Sequence, residues 1–526
     1  MKQTRLVSLA SKCVRAAFSD RFAKASIRWR PLSGLVLATG LAVSSLAMAQ
    51  VRSEADLFGG PETGDKKPEP VQPNADKEKD AAPTPTDAPK KSAILNAVAD
   101  SALVDTMQIG GRLELRANAS KVDDQRFQES PYTQNKTADI YFDTRPNQDT
   151  RAFLRLRFQE DNRTGRRSES TTTTTTTGDG TGTDTVATTT EQKEQPSITS
   201  SIDELWFKWD INESVFVTAG KQHVKWGRGR FWNPTDFTAL EPKDPFALFD
   251  RRLGQEMIKL HLPFEKEGHN LYAIVQFDDT ERNDDVGFIL RGEFAIGESG
   301  ETAVSVQSKR GRPLRLGVDF GMGFANFDVN LESAWLTRNA GPRFVGDLDL
   351  QQAVYPSRFY DDKKVYNQSV ANIEYVWMYS DNDNMTLGLE GFWNEMGYDS
   401  RLLEFYSLIQ NESKVLYAGK QYVASYARLS APGTWDDTTF ILNAMQNISD
   451  KTALIRLTST YMFYEQITLE AYVSRCLGEY GELCFKVPDA IIQGIATLPP
   501  ALQSAIGPLP RKTTRTVFGG SLTMNF

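Results

Sequence analysis

TRTVFGGSLTMNF, residues 514–526, is the stretch on which the fold turns. Phe518, Leu522, Met524 and Phe526 fall on one side of a two-residue period, and Arg515, Ser521, Thr523 and Asn525 fall on the other. An extended strand sends successive side chains to opposite faces. The segment therefore reads as a strand with one apolar face, one polar face and an aromatic last residue.

The same period recurs upstream. In QIGGRLELRANAS (108–120), Ile109, Leu113, Leu115 and Ala117 oppose Arg112, Glu114, Arg116 and Asn118. In DIYFDTR (139–145), Ile140 and Phe142 oppose Asp139, Tyr141, Asp143 and Arg145. In RAFLRLRF (151–158), Ala152, Leu154, Leu156 and Phe158 oppose Arg151, Arg155 and Arg157. Eighteen such segments can be counted between 107–118 and 513–526. The connections between them sort by parity: the long ones (119–136, 160–197, 226–250, 338–365, 396–420, 476–512) are all odd-numbered, and the even ones are short. A soluble sandwich has no reason to sort its loops in this way. A membrane barrel has long loops at one end and short turns at the other.

The expected fold is thus all-β: a transmembrane antiparallel barrel of about eighteen strands, with sixteen as the alternative, spanning 107–526. Its long loops would be extracellular. An amphipathic final strand ending in Phe526 resembles the terminal signal that the assembly machinery of bacterial outer-membrane barrels reads. Trp335, Trp377, Trp393, Tyr461 and Phe463 suit aromatic girdles at the two interfaces. No stretch after residue 49 is long and apolar enough for a membrane helix.

The N-terminus fits export. Lys2, Arg5, Lys12, Arg15, Arg21, Lys24, Arg28 and Arg30 precede the apolar run LSGLVLATGLAV (32–43) and then SSLAMAQ (44–50). This pattern predicts a signal peptide over 1–49. Residues 50–106 follow as a periplasmic linker. Its Pro-, Lys- and Asp-rich part, KKPEPVQPNADKEKDAAPTPTDAPKK (66–91), cannot bury a core and is expected to be disordered. KSAILNAVADSALVDT (91–106) is compatible with a short helix or a frayed linker end. Residues 1–49 hold eight of the 60 basic side chains and one of the 68 acidic ones, so the remainder carries a formal charge of −15. That excludes general nucleic-acid binding. Cys13 leaves with the signal, while Cys476 and Cys484 lie close together and are expected to form a disulfide.

VTAGKQHVKWGRGRFWNPTDF (217–237) breaks the alternation. It opens the third long connection, 226–250. In general porins the third external loop folds inward and narrows the channel, and this one resembles it by position. Gly227 and Gly229 permit sharp turns. Six large apolar residues, Trp226, Phe231, Trp232, Phe237, Phe246 and Phe249, are costly to leave in water. The expected constriction residues are Lys225, Trp226, Arg228, Arg230, Trp232, Asn233, Asp236, Glu241, Lys243 and Asp244. Gly220, Gln222, Trp226, Gly227, Asn233, Pro234 and Asp236 also resemble two barrel families. One is the alginate-export type; the other is a group of large outer-membrane barrels with a Trp-Gly…Asn-Pro-x-Asp motif.

Lumen-facing charges are expected at Arg112, Arg116, Arg151, Arg155, Arg157, Lys259, Arg315, Asp328, Glu332, Glu374, Glu390, Arg456 and Glu470. Two arrangements fit them: opposed basic and acidic walls that set up a transverse field, or local salt bridges between adjacent strands. The sequence contains three histidines, His223, His261 and His269. Lys221, Lys225 and Lys259 lie near two of them, which disfavours a bound cation, so no metal site is expected. No nucleotide or cofactor motif stands out.

Together these features imply an outer-membrane, porin-like channel for passive diffusion of small polar or charged solutes, without cofactor or catalysis. The alternatives are a dedicated exporter or substrate-specific transporter with a periplasmic partner, or a surface receptor or adhesin. The polar tract STTTTTTTGDGTGTDTVATTT (170–190) would suit the last of these. Expected partners are the lipid bilayer, lipopolysaccharide, the barrel assembly machinery and small solutes, with a homo-oligomer compatible.

Overall fold

The computed structural model describes residues 107–122, 126–161, 197–239, 241–247, 251–278, 282, 285–338, 341–348, 354–361, 363–380, 383–464, 466–478, 480–485 and 514–526. The expected signal peptide, the linker and the threonine tract lie outside them.

The strands follow in chain order: β1 (Met107–Val122), β2 (Tyr132–Asn147), β3 (Thr150–Asp161), β4 (Ser197–Ile211), β5 (Val215–Gln222), β6 (Gln255–Phe264), β7 (His269–Gln276), β8 (Gly287–Ile296), β9 (Gly300–Ser308), β10 (Arg315–Phe324) and β11 (Phe327–Leu336). A short ribbon, β12 (Arg343–Val345) with β13 (Ser357–Phe359), sits apart from the main sheet. Then come β14 (Tyr366–Met378), β15 (Asn384–Asn394), helix α1 (Arg401–Ile409), β16 (Gln421–Ser430), β17 (Thr438–Asn447), β18 (Thr452–Phe463), β19 (Ile467–Leu477) and β20 (Thr514–Asn525).

Eighteen strands form one sheet in which each pairs antiparallel with its chain neighbours, and β20 returns to β1. The closing register runs from Arg112↔Asn525 to Ser120↔Val517. Gly111 N–H donates to Phe526 O at 2.8 Å, and Phe526 N–H returns to Gly111 O at 3.0 Å. Closure leaves no open edge, the condition for a sheet to cross lipid.

Face assignment follows burial. In β8, Ile289, Arg291 and Glu293 are buried, while Phe288, Leu290 and Phe294 between them are exposed. The pattern holds around the ring: Leu115, Phe207, Leu331, Leu389, Leu457 and Leu522 are exposed, and Glu114, Asp139, Asp319, Glu332, Glu390 and Glu470 are buried. A band of bare apolar side chains right round the outside is stable against hydrocarbon, not water. Trp209, Trp335, Trp377, Trp393, Tyr461 and Phe463 lie exposed near strand ends, as interfacial girdles require. The chain is therefore a transmembrane barrel of the outer-membrane type, with its charged face inward.

Turns on one side are tight. The β4–β5 turn is three residues long, and its Asn212 (φ 56°) and Glu213 (φ 52°) both take the left-handed conformation. Cys476 and Cys484 are joined by a disulfide, with Cα atoms 5.5 Å apart.

Candidate functional site

The segment after β5 carries a ring of main-chain donors around two wall carboxylates. Glu332, on the inner face of β11, accepts the N–H groups of Arg228 and Gly229 (2.6 Å) on Oε1. Its Oε2 accepts the Thr235 hydroxyl at 2.7 Å. Glu390, on the inner face of β15, accepts from Phe231 N (3.0 Å) and Trp232 N (2.9 Å) on Oε1 and from Arg230 N (2.7 Å) on Oε2. Asn372 of β14, the strand between them, steadies Glu390 Oε2 from the side at 3.2 Å. Each of these hydrogen bonds falls on a buried or partly buried donor.

Residue types in WGRGRFWNPTD follow from this geometry. Gly227 has φ 87°, which favours glycine. A Cβ on Gly229 would stand 2.0 Å from Trp232 O, so the chain could not fold back on itself there. Asn233 Nδ2 closes the turn onto Gly229 O at 2.7 Å. Trp232 is fully buried, stacks on Phe392 (5.4 Å) and donates its indole N–H to Leu416 O at 3.0 Å. Phe237 packs over Gly317 of β10, where a Cβ would come 2.9 Å from the ring, and its carbonyl accepts from Gln307 Nε2 at 2.8 Å. Pro234-Thr235 forms a turn.

The expected constriction charges divide into two sets. Arg228 pairs with Asp319 (2.9 Å) and Glu301 (2.9 Å), and Asp319 also binds Arg291 of β8 at 2.7 Å. Trp226 lies buried under the Arg291 guanidinium, 5.1 Å from it. Arg230 lies over the Tyr426 ring at 4.0 Å. Asp236 pairs with Arg252 at 3.4 Å; burial pushes its carboxyl up, against the pull of Arg252 and Thr238. Lys225, Glu241, Lys243 and Asp244 are exposed, and Lys243 Nζ donates to Arg230 O at 3.4 Å.

Most of the wall arginines are paired locally. Arg112 and Arg157 share Asp139, Arg157 also binds Asp203 (2.7 Å), Arg151 binds Asp143 (2.7 Å), and Arg155 binds Glu204 (3.0 Å). Arg116 lies 3.1 Å from Glu114 and 3.7 Å from Glu470, and Arg456 binds Glu470 at 2.8 Å. Lys259 is buried, Glu374 lies beside the Tyr426 hydroxyl, and Asp328 is exposed near the β10–β11 turn. Of the two arrangements the sequence allowed, cross-strand pairing describes this wall. It stiffens the barrel and cancels much of a transverse field. Asp203, Arg291, Glu293 and Asp319 belong to the network but were not singled out by sequence. The alternation in LGVDFG (316–321) was the signal available for Asp319.

A second polar cluster escaped sequence reading. Glu404 of α1, Asp450 of the β17–β18 turn and Glu482 of the segment after β19 meet around Asn447, whose Nδ2 donates to Glu404 and to Glu482 (2.9 Å). Glu482 also accepts from Tyr422 OH at 2.7 Å and from the Leu416 and Ala418 N–H groups, and its own N–H binds Asp450 at 2.6 Å. Burial pushes the Glu482 carboxyl up to about 7. Burial, with Glu482 and Asp450 beside it, pushes Glu404 up to about 10.

Among the histidines, His223 faces Asp203 at 3.2 Å and His261 stacks on Tyr272 at 4.5 Å. Among the described residues no group of three or more His, Cys, Asp or Glu side chains is arranged to hold a metal ion.

Residues 81–398 match the family described as "Protein of unknown function (DUF1302)". The chain belongs to this family. The DUF1302 match covers both the WGRGRFWNPTD segment and its two wall carboxylates, Glu332 and Glu390. No curated protein matches the chain. Among solved structures, Acinetobacter baumannii OccAB1 is similar over 81% of this chain and 98% of its own, at 9% identity and TM-score 0.44. Pseudomonas aeruginosa OpdK, crystallised with vanillate, is similar over 80% and 98%, at 7% identity and TM-score 0.43. A triple mutant of the Rhodopseudomonas blastica porin is similar over 80% and 100%, at 12% identity and TM-score 0.36.

Proposed function

We propose that this barrel is an outer-membrane channel for passive diffusion of small polar or charged solutes, and that the 226–250 connection folds inward to narrow it. The observation that carries the reading is the pair of inner-face carboxylates, Glu332 and Glu390, that bind the main chain of 228–235. A loop on the outer surface has no access to two inward side chains on β11 and β15. A lumen lined by fixed polar and charged groups selects by size and sign. In this reading Arg228, Arg230 and Asp236 belong to the constriction, and the paired arginines of β1 and β3 to its rigid wall.

The test is single-channel conductance and ion selectivity of the refolded full chain in planar bilayers, beside a variant lacking Trp226–Phe249. The expected result is a stable open channel whose conductance rises when the segment is removed. Glu332→Gln combined with Glu390→Gln provides a second route to the same release without shortening the chain. Absence of conductance in every form would exclude a diffusion channel. Equal conductance in all forms would exclude the constriction.

A further inference from the structure

A cavity of about 260 Å³ opens beside the 233–243 segment, bounded by β10, the β12 ribbon and the β15–β16 connection. Its lining holds five cationic side chains, Lys243, Arg252, Arg315, Arg343 and Lys414, against three carboxylates, Asp236, Glu241 and Glu412. Two of these acids are already engaged: Asp236 by Arg252 at 3.4 Å and Glu412 by Arg358 at 3.5 Å. Glu241 stands exposed at the rim.

Among the described residues two of the arginines have no carboxylate in ion-pair contact, although Asp236 acts on Arg315 from a longer range. Arg315 lies against the Phe237 ring, 5.9 Å from its centre, with Nε buried and without a hydrogen-bond partner. No carboxylate of the described residues lies in ion-pair contact with it. Arg343 is fixed by donation to Glu395 O (3.1 Å) and Gly397 O (3.2 Å) and lies over the rings of Tyr366 and Tyr398. Its partners are neutral, so its orientation is set and its charge remains uncompensated. By contrast Arg112, Arg151, Arg155, Arg157, Arg291 and Arg456 each have a carboxylate within 4 Å. Removing a guanidinium from water is costly unless an anion meets it.

We propose that this cavity is a binding subsite for a small organic carboxylate, held through Arg315 and Arg343. A guanidinium offers a planar fork of donors that matches a carboxylate. The rest of the lining indicates an apolar body behind the charge: Leu336, Met396, Pro234 and Pro342 share the wall with Tyr398 and Tyr417. The volume lies below the range of about 300–1,000 Å³ usual for drug-sized ligands, so the occupant is small. The inference deepens the channel reading by naming a solute class for the space next to the constriction.

The test is equilibrium binding to the refolded full chain in detergent, which requires no transport and so succeeds or fails independently of conductance. The probes are benzoate, its neutral analogue benzamide, and inorganic phosphate. Saturable benzoate binding is expected, with benzamide and phosphate at least tenfold weaker. Arg315→Gln and Arg343→Gln should each weaken benzoate at least tenfold, with circular dichroism and thermal unfolding verifying that the variants remain folded. If a substitution prevents folding, Arg315→Lys or Arg343→Lys replaces it; a lysine keeps the charge but loses the planar fork and should bind benzoate more weakly. Benzamide equal to benzoate, phosphate equal to benzoate, or folded variants that bind as the original chain does would each overturn the proposal.

Discussion

Two pairs of buried glutamates hold two pieces of loop, and they differ in the company they keep. Glu332 and Glu390 project from strands into a ring of backbone N–H groups donated by Arg228 to Thr235. Glu404 and Glu482 come from connections and crowd each other and Asp450 around one amide, Asn447. The first pair meets donors and binds as an acceptor. In the second, Glu482 also accepts main-chain N–H groups, but Glu404 faces two acids and at neutral pH keeps its proton. The lesson is that burial alone does not fix what a carboxyl does; the sign of its neighbours does.

The contrast can be broken most severely at Trp232, the largest fully buried side chain in the first region. Trp232→Ala should cost about 3–5 kcal/mol of local anchoring, read as faster hydrogen exchange over 228–238; exchange matching the original chain would mean the carboxylates suffice alone. Next, Glu390→Ala leaves the N–H groups of Arg230, Phe231 and Trp232 without their acceptor, at about 1–3 kcal/mol for each buried group. Flickering, noisier single-channel currents are expected, and quiet currents would show that Glu390 does not hold the segment.

The two regions should then respond differently to the same conservative change. Glu390→Gln turns an amide donor toward a ring of N–H donors and should loosen the loop, whereas Glu404→Gln mimics a group that is already protonated and should be tolerated. The second region also carries a pH dependence. Raised pKa values mean that this cluster in the folded chain holds protons which the unfolded chain releases above about pH 4.3. Its stabilisation is therefore full below that point, falls as pH climbs through about 7 for Glu482, and continues to fall toward about 10 for Glu404. Exchange at Leu416 and Ala418, corrected for intrinsic rate, should quicken from pH 5 to pH 9, and Glu404→Gln should flatten that rise. The smallest effect is expected at Asn233→Ala, which loses one hydrogen bond to Gly229 O and should cost about 1 kcal/mol of the turn. An unchanged exchange rate at Gly229 would remove Asn233 from the anchor.

Much of this architecture was legible in the chain. Strict alternation in RLELRAN and LRLRF, loop lengths sorted by parity, and an amphipathic strand ending at Phe526 specify a closed barrel, because side-chain direction in a strand is a local property. The break at Trp226 was equally visible. Glu332 and Glu390 were readable as inward acids, but their role was not, since their partners lie 97–104 and 158–160 residues away. Even the wall arginines hid their partners: the bidentate hold of Arg151 on Asp143 across a turn is local, while Arg157 reaches Asp203 46 residues on. The Glu404–Asp450–Glu482 cluster left no trace at all, because each residue sits alone in its own connection and only the closed ring brings the three together.

Because Glu332 and Glu390 grip main-chain N–H groups, the anchor is largely indifferent to which side chain projects from the residue it holds. Arg230 gives Glu390 its amide and lends its guanidinium to the face of Tyr426. On the constriction proposed above, a lineage or an engineer could exchange the charge at position 230 and retune what passes without detaching the segment. Attachment and selectivity would then be written in different parts of the same residues, so that one could drift while the other stays put.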